Sequence, residues 1–279
     1  AGNQVAVVVS AMAGTTNQLI EWAKQIGPMH DAREYDIIVS TGEQVTVGLL
    51  AIALQNIGVD ARSWLGWQIP FKTDDVHSAA RIEEIYPKEI INRLNMGQVA
   101  VVAGFQGIAP DGRISTLGRG GSDTSAVALA AAIKADRCDI FTDVEGVYTT
   151  DPRIMPKARK LDSITFEEML EMASAGAKVL QTRSVAMAMR HGINLQVLSS
   201  FKESPGTLVQ NEEKQMEKQK VSGIAYSAEE AKVTIVGLPD KPGIAARIFG
   251  ALAEMHINVD MIVQSASADS KETDITFSL

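Results

Sequence analysis

The chain has 279 residues, 46% of them apolar and 22% charged, which excludes a largely disordered polypeptide and predicts about two domains. Lys and Arg total 26 against 34 Asp and Glu; the net charge of −8 has the wrong sign for a domain that grips nucleic acid phosphates. The single cysteine excludes an intrachain disulfide scaffold.

Residues 5–9 open the chain as a strand, Val-Ala-Val-Val-Val, with no signal peptide ahead of it. No apolar run approaches the ~20 residues that span a bilayer, so a soluble cytoplasmic protein without a membrane partner is expected. A small-residue turn, Ser10-Ala11-Met12-Ala13-Gly14-Thr15-Thr16-Asn17, leads into a helix. Residues 37–39 read as a second strand, and Ser40-Thr41-Gly42-Glu43-Gln44 as the turn into a helix over 44–57, where Val47, Leu50, Ala51 and Leu54 recur at helical spacing. Residues 99–103 read as a strand. A Gly-rich turn at 117–126 then opens a helix over 124–133.

Further strands are expected at 139–142 and 195–198. Between them a helix over 165–173 carries Thr165 and Glu168 in capping-box spacing, and one over 179–190 ends at His191-Gly192. Buried strands alternating with helices predict a mainly parallel sheet covered on both faces. Residues 210–220 are nearly all polar and read as a linker or a solvated helix. A smaller unit follows: a strand at 233–236, a turn at Asp240-Lys241-Pro242-Gly243, a helix over 244–255 and strands at 258–264 and 274–278. There is no initiator Met, and the last strand pattern simply stops, which suggests a piece of a longer polypeptide.

The densest chemistry is Leu117-Gly118-Arg119-Gly120-Gly121-Ser122-Asp123. Glycines let a ligand approach the backbone, a helix N-terminus favours an anion, and Arg119 can grip a carboxylate or phosphate. The same residues also serve as an ordinary helix cap. No Gly-Lys pair exists for a Walker loop, and Asp123 stands where a dinucleotide fingerprint needs its third glycine. The segment from Phe141 to Arg153 lacks EF-hand spacing, and Tyr148 and Arg153 there suit a nucleotide base and phosphate. Glu43 can hold a substrate ammonium. The four histidines show no metal spacing, and Cys138 reads as core.

Val9 to Gly14, Ser40-Thr41-Gly42-Glu43, Gly118 to Ala126, Thr142 to Arg153 and Gly176-Ala177-Lys178-Val179-Leu180 occur in the order seen in aspartate kinases, so residues 3–209 resemble that branch of the amino acid kinase family. The segment 233–264 resembles the start of the ACT regulatory domains that follow. The resemblance implies an α/β amino acid kinase fold, a mainly parallel sheet sandwiched by helices, over 1–209. It also implies a linker at 210–220 and a partial ACT domain, α+β and ferredoxin-like, over 221–279. The implied reaction moves the ATP γ-phosphate to the β-carboxylate of L-aspartate, the step committing carbon to lysine, threonine and methionine.

By position, the resemblance places Asp123 and Arg119 at the transfer centre. Thr41, Glu43, Arg119 and Ser122 fall on aspartate. Ser10, Gly120, Gly121, Thr142, Asp143, Tyr148, Arg153 and Lys178 fall on ATP, with Mg²⁺ arriving on the nucleotide and no metal held by the protein itself. Asp240, Ala245 and Gln264 would line an effector site for lysine or threonine, and ACT units would join chains into homo- or hetero-oligomers. The family's opening Lys-Phe-Gly-Gly-Thr-Ser segment would lie before Ala1, and its second ACT unit after Leu279. Without them weak ligand binding and poor catalysis are expected. Two alternatives are a kinase of the same fold for glutamate, N-acetylglutamate, carbamate or a nucleoside monophosphate, and a catalytically dead amino-acid-sensing subunit. Glu43 with Arg119 suits a free α-amino acid and argues against the first.

Overall fold

The structure, a computed structural model, describes residues 2–27, 30–211, 222–226, 231–255, 257, 259, 261–266 and 272–279. The chain divides into two units, Ala1–Tyr226 and Ser227–Leu279.

The first unit opens with β1 (Ala6–Val9), α1 (Thr15–Ile26), α2 (Ala32–Val39), α3 (Thr41–Asn56) and β2 (Ala61–Trp64). It continues with β3 (Phe71–Thr73), β4 (Ile82–Ile85), α4 (Lys88–Asn95), β5 (Val99–Ala103), β6 (Gln106–Ile108), β7 (Ile114–Thr116) and α5 (Gly121–Ile133). It closes with β8 (Cys138–Thr142), β9 (Ser163–Thr165), α6 (Phe166–Ser174), α7 (Thr182–His191), β10 (Leu195–Ser199) and β11 (Thr207–Gln210).

Two parallel-rich sheets form its frame. In the order β1-β5-β2 all pairs are parallel, with Val9 opposite Ala103 and Trp64 opposite Val102. In β8-β10-β11-β9 the β8–β10 pair is parallel, with Thr142 opposite Ser199, and β11 runs antiparallel to β10. A third sheet, four-stranded and mixed, has the order β4-β3-β6-β7. Helix α5 joins the two cores. Val127 and Ala130 pack with Ile140, Leu195 and Val197, while Leu129 packs with Trp64, Ala100 and Val102. Its Ala-rich sequence fits that position, because small side chains let a helix lie close to neighbours on several sides.

Residues 37–39 are helical, correcting the strand expected there. The Asp31 carboxylate caps α2 by accepting the Arg33 N–H at 2.8 Å. Asp36 and Val39 then turn inward at i and i+3, while Ile37 is 40% exposed. Three consecutive apolar residues carry no period that separates strand from helix. The turn at 40–44 is therefore a helix-to-helix junction: Ser40 keeps helical angles and ends α2 as it begins α3. Joined, residues 32–56 form a 25-residue stretch as long and apolar as a membrane span, which reading short runs overlooks. Here it packs Val39, Val47 and Ala51 inward and buries two carboxylates, Asp36 and Glu43.

Local signals hold elsewhere. Thr165 and Glu168 form a capping box, and Gly192 closes α7 in the left-handed region at φ 67°. The linker expected at 210–220 lies outside the described residues except Gln210, which ends β11, and Asn211.

The second unit has β12 (Lys232–Pro239), α8 (Ile244–Glu254), β13 (Ile262–Ala266) and β14 (Glu272–Ser278) in an antiparallel sheet of order β12-β14-β13. Ile275 and Phe277 are buried, and Phe249 of α8 meets Phe277 edge-on at 5.5 Å. The strand expected from 258 starts at Ile262; residues 258 and 260 lie outside the described residues.

Candidate active site

Parallel pairing brings the carboxyl ends of β1 and β5 side by side, and the Gly104 N–H donates to Val9 O at 3.0 Å. Open α/β sheets place ligands at such an edge. Gly104 has no room for a side chain: a Cβ there would stand 2.9 Å from that of Ser122. The end of β5 thus abuts the first turn of α5. Gly120 begins that helix at φ 69°, a conformation glycine adopts without strain, and a Cβ on it would strike Gln181. No side chain caps α5; the Gly121 N–H turns back to Gly118 O at 3.0 Å, and the N–H groups that follow it, with the helix dipole, favour an anion.

Glu43, on α3, is 3% exposed. Its Oε1 accepts the Ala11 N–H at 3.0 Å, tying α3 to the loop after β1. Its Oε2 is buried with no hydrogen-bond partner. Burial pushes the Glu43 carboxyl up to about 7, outweighing the Ala11 bond. Burial also pushes Asp123 up to about 6, although the N-terminus of α5 favours its anion.

Arg119 and Lys178 are exposed, and among the described residues neither makes a hydrogen bond or ion pair. Gln181, three residues after Lys178, lies against Gly120, which brings the Lys178 segment alongside the Gly-rich loop. Ser10 is exposed at the end of β1, and Ser122 is half-buried on α5. The structure therefore gathers the segments of Ser10, Glu43, Arg119, Gly120, Gly121, Ser122, Asp123 and Lys178 around one helix N-terminus.

Thr41 is not brought to Glu43. Two residues apart on a helix, they point about 200° from each other. The Thr41 hydroxyl donates to Ile38 O at 2.7 Å, and Thr41 lines a groove of about 430 Å³ between α1 and α3 with Trp22 and Val45.

A second group sits past the carboxyl ends of β8 and β10. The Thr142 hydroxyl accepts from the Val144 N–H and donates to Asp143, both at 3.1 Å. Tyr148 bridges to Lys160. Arg153 grips Asp151 with its Nε at 3.0 Å and a terminal nitrogen at 2.7 Å, which holds the Asp151 carboxyl below the usual range. Sequence reading did not single out three groups that the structure places next to these segments: the Ala11 N–H, Gln181, and Lys202, which pairs with Glu145 at 2.6 Å. Each owes its place to distant chain, and no local pattern marks it.

In the second unit Asp240 is exposed just past β12, and Ala245 is half-buried in the first turn of α8. Gln264 is exposed on β13 opposite Ile275, three rows along the sheet from the Pro239–Glu272 pair. No group of three or more His, Cys, Asp or Glu among the described residues could hold a metal ion.

Residues 1–199 match the model of the amino acid kinase family, and residues 233–278 match an ACT domain. The chain is 56% identical over 280 residues to the aspartate kinase of Pseudomonas putida, covering 100% of this chain and 68% of that one. The structure of E. coli aspartokinase III in complex with aspartate and ADP superposes with a TM-score of 0.72 at 31% identity, covering 94% of this chain and 58% of that chain. The same enzyme in complex with lysine and aspartate gives 0.70 at 32%, covering 94% and 59%. The chain thus spans about two thirds of the curated relative and less than two thirds of the solved chains.

Proposed function

The chain belongs to the amino acid kinase family, among the aspartate kinases, and from that premise we propose that its site transfers the γ-phosphoryl group of ATP to the β-carboxylate of L-aspartate. The products are 4-phospho-L-aspartate and ADP. One observation supports the substrate class above others: Glu43 is a buried carboxylate with one oxygen on Ala11 and the other without a donor. A substrate ammonium supplies that donor and the compensating charge. Arg119 takes the α-carboxylate as a planar fork. The β-carboxylate then faces the nucleotide.

The bond between the γ-phosphorus and its bridging oxygen breaks as a carboxylate oxygen bonds to phosphorus. A carboxylate nucleophile needs no general base, so the protein's contribution is alignment and positive potential between two anions. Lys178, Ser10, Ser122 and the backbone at Gly120 and Gly121 serve the phosphates; Thr142, Asp143, Tyr148 and Arg153 serve the rest of the nucleotide. Asp123 orients groups beside the transfer centre. Mg²⁺ would come with the triphosphate and supply charge compensation there.

The catalytic part lies within Ala1–Tyr226, rather than ending at 209, and the ACT part within Ser227–Leu279, rather than starting at 221. The ACT part takes lysine or threonine at Asp240, Ala245 and Gln264 and joins chains into oligomers. The lysine complex of aspartokinase III supports lysine. The enzyme works in the cytoplasm at the head of lysine, threonine and methionine synthesis.

Hydroxamate trapping of the acyl phosphate tests the reading. With ATP, L-aspartate gives hydroxamate, whereas N-acetyl-L-aspartate, which lacks the ammonium, and L-glutamate give less than about a hundredth of that rate. Comparable rates with N-acetyl-L-aspartate would overturn the assignment.

A further inference from the structure

Asp36 lies on α2 seven residues before Glu43 and is fully buried. Among the described residues it has no Lys or Arg partner. Its carboxylate is instead met by His77 Nδ1 at 2.7 Å, the Ser78 N–H at 3.1 Å, the Ser78 hydroxyl at 3.2 Å, the Thr116 N–H at 3.0 Å and the Thr116 hydroxyl at 2.6 Å. Five donors on two oxygens come close to all that a carboxylate can accept.

These donors come from two segments that are themselves paired, since the Ala80 N–H donates to Thr116 O at 2.9 Å. Arg183 of α7 holds the same two segments by their carbonyls, donating to Leu117 O at 2.6 Å and Ala80 O at 2.9 Å. Donors from the segments thus meet Asp36 while their carbonyls meet Arg183.

Thr116 is three residues before Arg119. On the other side, Asp36 and Glu43 share the joined helix, whose junction is fixed by the bond from Gln106 Nε2 to Ser40 O at 3.2 Å. Asp36 therefore ties the helix that carries Glu43 to the strand end that carries Arg119. An α-amino acid holds its ammonium and carboxylate on one carbon, so gripping both requires a set spacing between the two protein groups. We infer that Asp36 is a positioning residue for the amino acid substrate, setting the spacing of Glu43 and Arg119 through Thr116. The inference rests on the aspartate-site reading above.

Thr116→Val removes the 2.6 Å donor and keeps the side-chain shape; Thr116→Ser keeps the hydroxyl. In the full-length protein the valine variant raises the aspartate KM about tenfold, leaves the ATP KM within about twofold, and the serine variant recovers most of the loss. A purely structural role moves both KM values together or neither, and either result overturns the inference. Where Thr116→Val does not fold, His77→Leu, which deletes a different donor, gives the same split. Failure of both variants to fold also overturns it, leaving Asp36 a stability residue. Glu43→Ala in the same assay separates the two levels. An unmoved aspartate KM there sinks the site reading itself, while a raised one beside an unmoved Thr116→Val sinks only the positioning role.

Discussion

Exchange of Glu43 for alanine raises the aspartate KM by about 10²-fold or more and leaves ATP affinity within about twofold. Removing one partner of a buried ion pair costs on the order of 3–5 kcal/mol, because the remaining charge is stranded without compensation. Glu43 is 3% exposed, so a bound ammonium has little water to fall back on. The backbone of Ala11 also loses its acceptor in this variant. Glu43→Gln separates the two losses, since an amide oxygen can still accept from Ala11 but carries no charge. It should keep the fold of the loop and lose most of the aspartate affinity. Steady-state kinetics with calorimetric ATP binding reads both; an aspartate KM that stays put in both variants contradicts the role of Glu43.

Removal of Arg119 has a comparable effect by a different route. Arg119→Ala lowers kcat/KM for aspartate by about 10²–10³-fold, the range found when a donor to developing or bound negative charge is deleted. Arg119 is exposed, and its side chain makes no hydrogen bond or ion pair with the described residues. The melting temperature therefore stays where it was, as for surface substitutions within about 0.5 kcal/mol. Arg119→Lys returns part of the rate, because an ammonium keeps the charge but not the planar fork. A fall in melting temperature that parallels the loss of activity would assign Arg119 to structure instead.

What could be read from the sequence follows the range of the forces involved. The strands at β1, β5, β8 and β10 and the capping box of α6 declare themselves within a few residues, because pattern and caps are local. The helical state of residues 37–39 does not, since the Asp31 cap and the inward turn of Asp36 decide it. Strands such as Phe71-Lys72-Thr73 exist because distant partners pair with them. The site shows the same division. Glu43, Arg119 and the Gly-rich turn were legible as residue types. The burial that raises Glu43 was not, because it depends on distant chain such as the loop at Ala11, 32 positions away. The resemblance grouped Thr41 with Glu43 on aspartate, and the helix that forms over Thr41–Asn56 turns the two apart. His77, with no metal spacing to mark it, gained meaning only from Asp36, 41 positions away.

The most direct measurement is the proton count on aspartate binding, from calorimetry at pH 7 in buffers of different ionisation enthalpy. Glu43 titrates at about 7 in the free protein and must be ionised to hold an ammonium, so binding should release about half a proton per aspartate. The release should grow toward about one proton as the pH falls to 6, and vanish in Glu43→Gln. Binding that exchanges no protons across that range, or that releases them equally in Glu43→Gln, would show that the substrate ammonium rests elsewhere.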